Sequence, residues 1–368
     1  MKKLFYFVIL NLCLFPQVVW SIDFEDAVFP EILSSARAQA MGNAYICKVD
    51  DSHAAFYNPA GLGSVRLSHY HLTNFHLEMN KGWIDTSGGG KAIDAVSNFT
   101  KGFQLDGIRE LFEEKGYKDQ LTHTKFQTMP NIIFRYLTAG FAIKKNTRTY
   151  LGPQDGDKFE YAERLDYGPY VAANLSFGGG ILKIGATGMV LTRHEIQDDV
   201  DIDETIEIGG EDYKKGSSEY VIAGSRLTLP MRWLPTVAAV LHNATDAKFK
   251  GRGAGAPEVI RQQLDVGFSL TPQIANVSRL HLEVNYKDIG FAHNGVSAAR
   301  KLVFGGEIDV ARAFFIRGGY GDGFGSFGLG IKSKTIEFDL TTYAVDTTTN
   351  DFRGKEDRRF SLSLSAGF

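Results

Sequence analysis

The chain has 368 residues, a formal net charge of −3, and 40 Gly, 27 Phe and 15 Tyr beside only 10 Pro and 2 Cys. This near-neutral balance gives no electrostatic case for a nucleic-acid partner, and so few cysteines exclude a thiolate metal cluster or a disulfide framework. Abundant Gly and aromatics suit a membrane barrel, which uses Gly at tight turns and crowded walls and aromatics in girdles at both interfaces.

Met1-Lys2-Lys3 is a short basic stretch, Leu4 to Trp20 is apolar apart from Asn11 and Gln17, and Val19-Trp20-Ser21 offers small residues where a signal peptidase cleaves. Residues 1–21 are therefore predicted to be a secretory signal, with the mature chain starting at Ile22. Cys13 would leave with it, and Cys47, in the apolar AYICKVD, reads as a buried inert thiol. No later run approaches the roughly 20 apolar residues of a spanning helix. Export without helical spans leaves periplasm, medium or outer membrane.

Ile22 to Gly63 lacks strand periodicity and reads as an N-terminal plug. Residues 64–368 break into alternating segments with strands starting near Val65, Asn131, Leu137, Phe159, Ile181, Glu219, Thr236, Arg261, Arg279, Lys301, Ala313, Gly325, Thr335 and Phe360. Their connections alternate long and short, from the long Glu78 to Met129 segment through Gly178-Gly179-Gly180 to the final Asp346 to Arg358 loop; only the turn at Gly321 is shorter than its parity predicts. Short periplasmic turns and long outer loops are the habit of outer-membrane barrels. The predicted fold is thus all-β, a transmembrane antiparallel β-barrel of about fourteen strands with a plug, or hatch.

Alternation also assigns faces. On the Arg279 strand, Leu280, Leu282, Val284 and Tyr286 face one way and His281, Glu283, Asn285 and Lys287 the other. Asp265, Glu307, Arg317, Glu337 and Asp339 fall on polar faces and are expected in the lumen, because a charge at mid-depth in lipid costs roughly 2 to 4 kcal/mol. The last nine residues place Phe360, Leu362, Leu364, Ala366 and Phe368 on one face, and the terminal Phe368 resembles the insertion signal of bacterial outer-membrane proteins.

ARAQAMGNAYICKVDDSHAAFYNPAGLG, residues 36–63, resembles the plug of the FadL/TodX family of long-chain fatty-acid and hydrocarbon channels, including its PorV-like branch. Arg37, Gly42, Asp50, Asp51, Ala54, Asn58, Pro59, Ala60 and Leu62 carry the match, and GGEIDVARAFFIRGGYGDGFGSFGLGI looks like the branch's closing hairpins. The resemblance implies a plug inside the barrel that gates the route to the periplasm, with Gly42, Asp50, Asp51, Asn58, Pro59 and Ala60 as plug or gate residues. Read alone, Asn58-Pro59-Ala60 is a turn, since Pro fixes φ and Asn bonds its own backbone.

Other chemistry is weaker. Asp199, Asp201 and Asp203 alternate in an acidic segment without calcium-loop spacing and read as a solvated outer loop. His69, His71 and His76 lack an apparent carboxylate partner, and the Gly-rich stretch from Gly318 precedes no helix, so neither zinc nor a phosphate loop is expected. No nucleophile motif appears, hence no enzyme, cofactor or metal. Gln104 to Tyr117 places Leu105, Ile108, Leu111 and Phe112 at helical spacing in the longest outer loop, as a cap over the mouth or a substrate landing surface.

The leading expectation is a monomeric, passive outer-membrane channel for fatty-acid-like hydrophobic molecules, inserted by the barrel assembly machinery and surrounded by outer-membrane lipid. The rival is a PorV-like barrel that docks a protein partner; an open diffusion porin is third.

Overall fold

The computed structural model describes residues 26–29, 32–65, 69–88, 98–154, 156–275, 278–290, 295–348 and 352–367. The expected signal peptide and Phe368 lie outside them.

Seventeen strand segments form one closed antiparallel sheet, and three of them continue a neighbour past a break, leaving a barrel of fourteen wall strands. These are β1 (His69–Asn80), β2 (Gln120–Thr128 and Asn131–Phe134), β3 (Leu137–Leu151), β4 (Phe159–Phe177), β5 (Leu182–Val200), β6 (Lys214–Thr228), β7 (Thr236–His242, extended by Lys250–Gly253), β8 (Gln263–Leu270, extended by Gln273–Ala275), β9 (Ser278–Tyr286), β10 (Leu302–Val310), β11 (Phe314–Gly321), β12 (Phe324–Lys332), β13 (Ile336–Asp346) and β14 (Glu356–Gly367). The seam closes where β1 meets β14, with Phe75 opposite Leu364 and Leu77 opposite Leu362.

The expected count and connection parity match this barrel, but three strands begin earlier than their local pattern suggested. Among them, β14 starts at Glu356 rather than Phe360, because Glu356 to Arg359 pair with Asp346 to Tyr343. β2 starts at Gln120 rather than Asn131, because Gln120–Thr128 pairs with both β1 and β3. Pro130, which has no N–H for the ladder, marks the break that hid this continuity, and its carbonyl accepts from Phe141 instead. β6 starts at Lys214, drawn outward by pairing with the Lys250–Gly253 segment.

Turn chemistry fits each connection. Gly178, Gly179 and Gly180 all take positive φ in the turn between β4 and β5, and Asp322-Gly323 makes the tight outer hairpin between β11 and β12 with φ of 52° and 85°.

The outward faces carry exposed Phe304, Ile316, Leu329, Leu340, Leu362 and Leu364, alternating with buried polar partners along the same strands. A closed barrel pairs its strand backbones and leaves no edge, so an apolar belt around it belongs in a bilayer. The chain is a transmembrane β-barrel.

β4 and β5 have 19 residues each, about twice the 9 to 11 of a tilted membrane strand, so their upper ends stand above the bilayer. There α4 (Leu105–Lys115) folds back against them, while α3 (Lys81–Ser87) packs beside it on β1 and β2. Buried Leu105, Ile108 and Phe112 cluster with Leu151, Phe159, Tyr161 and Ile196, which share the phase of the lipid-facing residues on β3, β4 and β5. The loop helix therefore packs on the outside of the strand extensions and does not cover the mouth; Leu111 is fully buried with it.

Candidate functional site

The lumen holds the N-terminal segment, which is built from short, capped pieces. Ser35 Oγ accepts from Ala38 N to cap α1 (Ala36–Ala40), and Met41-Gly42-Asn43 turns the chain, with φ of 61° at Gly42 and 68° at Asn43. Gly42 is needed twice over, since its φ favours glycine and a Cβ there would lie 2.6 Å from the backbone of Tyr320. The wall reciprocates: a Cβ on Gly305 would meet Met41 O at 2.5 Å, and one on Gly321 would meet Gly42 O at 2.4 Å. Backbone thus packs on backbone at this point.

Further along, α2 (Ala54–Tyr57) leads through Asn58 into a 3-10 helix, Pro59–Ser64. Asn58 Oδ1 accepts from Ala60 N at 3.0 Å, while its Nδ2 donates to Ile46 O at 2.9 Å and to Ser225 O at 3.3 Å. The turn expected from Asn58-Pro59-Ala60 is present, and it sits against wall glycines. A Cβ on Gly224 would fall 2.2 Å from Asn58 Oδ1, and one on Gly185 would fall 2.3 Å from the Pro59 carbonyl carbon.

Around this segment the lumen is divided. On one side, inward-facing Tyr170 and Ala172 of β4, Met189 and Leu191 of β5, Tyr220 and Ile222 of β6, and Ala238 and Val240 of β7 form an apolar wall. It receives Phe56, whose ring meets Tyr170 edge-on at 4.8 Å, together with Ile46, Tyr57 and Leu62. Above that wall runs a charged belt, with Arg193 on Asp166 at 2.6 Å and Arg164 on Glu195 at 2.7 Å.

On the other side, β9 to β14 with β1 and β2 present polar groups inward. Arg37 grips Glu307 through two bonds of 2.7 and 2.8 Å and also reaches Asp50 at 2.8 Å and Asp51 at 3.4 Å. Arg317 binds Glu307 at 2.8 Å and, on its other side, Asp339. His281 and the Cys47 N–H both bond Glu283, at 2.9 and 2.8 Å, and Lys287 pairs with Asp265 at 3.0 Å. Glu337 is only partly buried and pairs with Lys332 at 2.6 Å. A second hub forms on Glu78, which meets His123 at 2.7 Å, Lys125 at 3.1 Å and the Gln39 amide at 2.7 Å. Arg359 and Arg148 hold Asp26 at 2.6 and 2.9 Å.

All the residues expected in the lumen thus lie on inward faces, and several contact the N-terminal segment directly. The sequence reading left His76 without a carboxylate partner, but Glu78 lies 3.4 Å from it. Two residues apart on one strand means the same face, so that signal was available. Arg226, which donates to Cys47 O and Val49 O at 3.2 and 3.1 Å, was missed because nothing local marks it.

Burial raises the Asp51 carboxyl, but the His53 hydrogen bond and the charges of His53 and Arg37 outweigh it and hold it well below its ordinary 3.8. Burial pushes the Cys47 thiol up, which keeps it protonated and unreactive. Among the described residues no group of three or more His, Cys, Asp or Glu is arranged to hold a metal ion.

At the periplasmic mouth a cavity of about 620 Å³ opens between the segment, the start of β9 and the turns that follow β10 and β12. On the outer wall, outward-facing Gly306 and Gly318 leave a separate apolar groove of about 570 Å³ flanked by Leu282, Phe304 and Tyr320.

No protein-family model matches the chain, and no curated protein matches it. Among solved structures it is similar to the toluene transporter TbuX of Ralstonia pickettii, at 13% identity and a TM-score of 0.51 over 91% of this chain and 98% of that one. It is more loosely similar to the toluene transporter TodX of Pseudomonas putida, at 9% identity and a TM-score of 0.40 over 95% and 99% of the two chains. CdiB of Acinetobacter baumannii matches at 10% identity and a TM-score of 0.36 over 83% of this chain and 60% of that one. The chain has a FadL/TodX-type barrel fold.

Proposed function

We propose that the protein passively admits hydrophobic, fatty-acid-like small molecules across the outer membrane, with the N-terminal segment as the gate. The observation that carries this reading is the apolar inner wall of β4 to β7, because a porin lines its lumen with polar groups and water. When the segment is seated, its own Phe56, Tyr57 and Leu62 cover that wall. Displacing it would bare an aromatic and aliphatic surface of the kind that binds apolar ligands. The similarity in fold to TbuX, a toluene transporter, accords with the reading. Reconstituted in liposomes, the protein should speed transfer of a fluorescent fatty acid or a small aromatic above the rate of empty vesicles, without a steady ionic current.

A second reading, a barrel that docks a protein partner without conducting, draws on the ion pairs Arg37–Glu307 and Arg359–Asp26 and on the hydrogen bond from Gln39 to Glu78, which tie the segment to the wall at several points. Transfer no faster than empty vesicles would favour it.

A further inference from the structure

The cavity at the periplasmic mouth has a charge pattern that solute passage does not call for. Its carboxylates are engaged: Glu307 and Asp50 by Arg37 at 2.7 and 2.8 Å, Glu337 by Lys332 at 2.6 Å, and Asp51 by Arg37 at 3.4 Å. Asp309 accepts the Arg312 backbone N–H at 2.7 Å, so its charge is committed to the turn. Four cations that line the same cavity, Lys48, Arg279, Arg312 and Lys334, have no ion-pair partner among the described residues. Arg279 stands opposite Asp309 in the β9–β10 ladder without pairing with it.

These cations come from four separate elements: the N-terminal segment, the start of strand β9, the β10–β11 turn and the β12–β13 turn. Two are fixed by turn geometry. Ala311 and Arg312 occupy both central positions of the turn that the Ala313 N–H closes on Val310 O, with φ of 56° and 58°, conformations that ordinarily favour Gly or Asn. Lys334 sits in a turn where Ser333 Oγ accepts from Thr335 N and Ile336 N at 3.3 and 3.0 Å. A bulky arginine kept in a left-handed position is a backbone cost that a binding role explains. The floor between the cations is apolar, made by buried Val65, Ile133 and Phe315.

We propose that this vestibule binds an extended acidic segment of a periplasmic protein, whose carboxylates meet Lys48, Arg279, Arg312 and Lys334 while an apolar side chain enters between them. Dispersed cations on separate elements suit several carboxylates along one chain; a single carboxylate meets one or two of them. The site faces the periplasm, so its occupancy is independent of whether solute crosses the lumen.

The test is fluorescence anisotropy with full-length protein in neutral-lipid nanodiscs and a labelled octapeptide of alternating glutamate and leucine. Saturable binding is expected, weakened about tenfold by raising salt from low to several hundred millimolar, since exposed charge pairs are screened over a Debye length of about 10 Å or less. Arg312→Gln with Lys334→Gln should weaken it about tenfold as well, whereas Lys250→Gln on the outer extension should leave it unchanged. Heat-modifiable migration reports that each variant has folded, and Lys334→Gln alone supplies a milder second case. Equal binding of the glutamine analogue, equal loss in Lys250→Gln, or full competition by millimolar acetate or inorganic phosphate would overturn the proposal, the last by showing a small-anion site.

Discussion

Gly42 is the residue on which the seating of the N-terminal segment turns. Replacing it with Ala forces an L side chain into φ 61° and sets a Cβ 2.6 Å from Tyr320 backbone. The left-handed conformation alone costs about 1 to 2 kcal/mol. Gly42→Ala is therefore expected to leave the barrel heat-modifiable but to open the segment, so that trypsin cleaves after Arg37 or Lys48 in folded protein where the wild type resists. Undiminished resistance would mean that the backbone contact is not what seats it. Acid acts on the same lock with a definite sign. Asp51 is held below its ordinary 3.8 in the folded state, so its contribution is complete above that value and disappears as pH falls through the depressed one. Resistance to an acid-stable protease should persist at about pH 5 and fail only in stronger acid, and Asp51→Asn should be weakened at neutral pH already. Asn58-Pro59-Ala60 was legible as a turn from three adjacent residues. The glycines that receive it, Gly185 and Gly224, were not, since a close approach between distant segments leaves no local mark.

At the scale of elements, period-two alternation gave the faces of β9, β10, β11, β13 and β14 because each carries polar or charged side chains on one side and apolar ones on the other. Leu282 is exposed and Glu283 buried. Leu282→Arg should impair insertion, at a cost of about 2 to 4 kcal/mol in lipid, whereas Glu283→Gln should assemble, and gel mobility before and after heating separates the two. Equal defects would contradict the assignment. The outer-loop helix shows where such patterning stops. Its amphipathic spacing was readable, but not the surface it would choose, because the upper ends of β3, β4 and β5 are apolar on the phase that lower down faces lipid. Ile108→Asp should expose residues 98–117 to protease without raising ionic conductance, since the helix lies outside the strands; a conductance increase would restore the cap.

For the whole molecule, fourteen strands could be counted from sequence because loop parity is a global constraint that survives errors at single strand ends. The divided lumen could not. The apolar wall takes one or two inward residues from each of several strands, and only barrel closure gathers Tyr170, Leu191, Ile222 and Val240 beside Phe56. The account rests on the segment moving away from that wall when solute passes. The most direct test joins the segment to the barrel at Ser52 and Asn74, whose side chains hydrogen-bond at 3.0 Å, as Ser52→Cys with Asn74→Cys in a Cys47→Ala background. With these cysteines joined by a disulfide or a short thiol crosslinker, transfer of a fluorescent fatty acid into liposomes should fall to the rate of empty vesicles and recover on reduction. Transfer as fast in the joined protein as in the reduced one would contradict the gate.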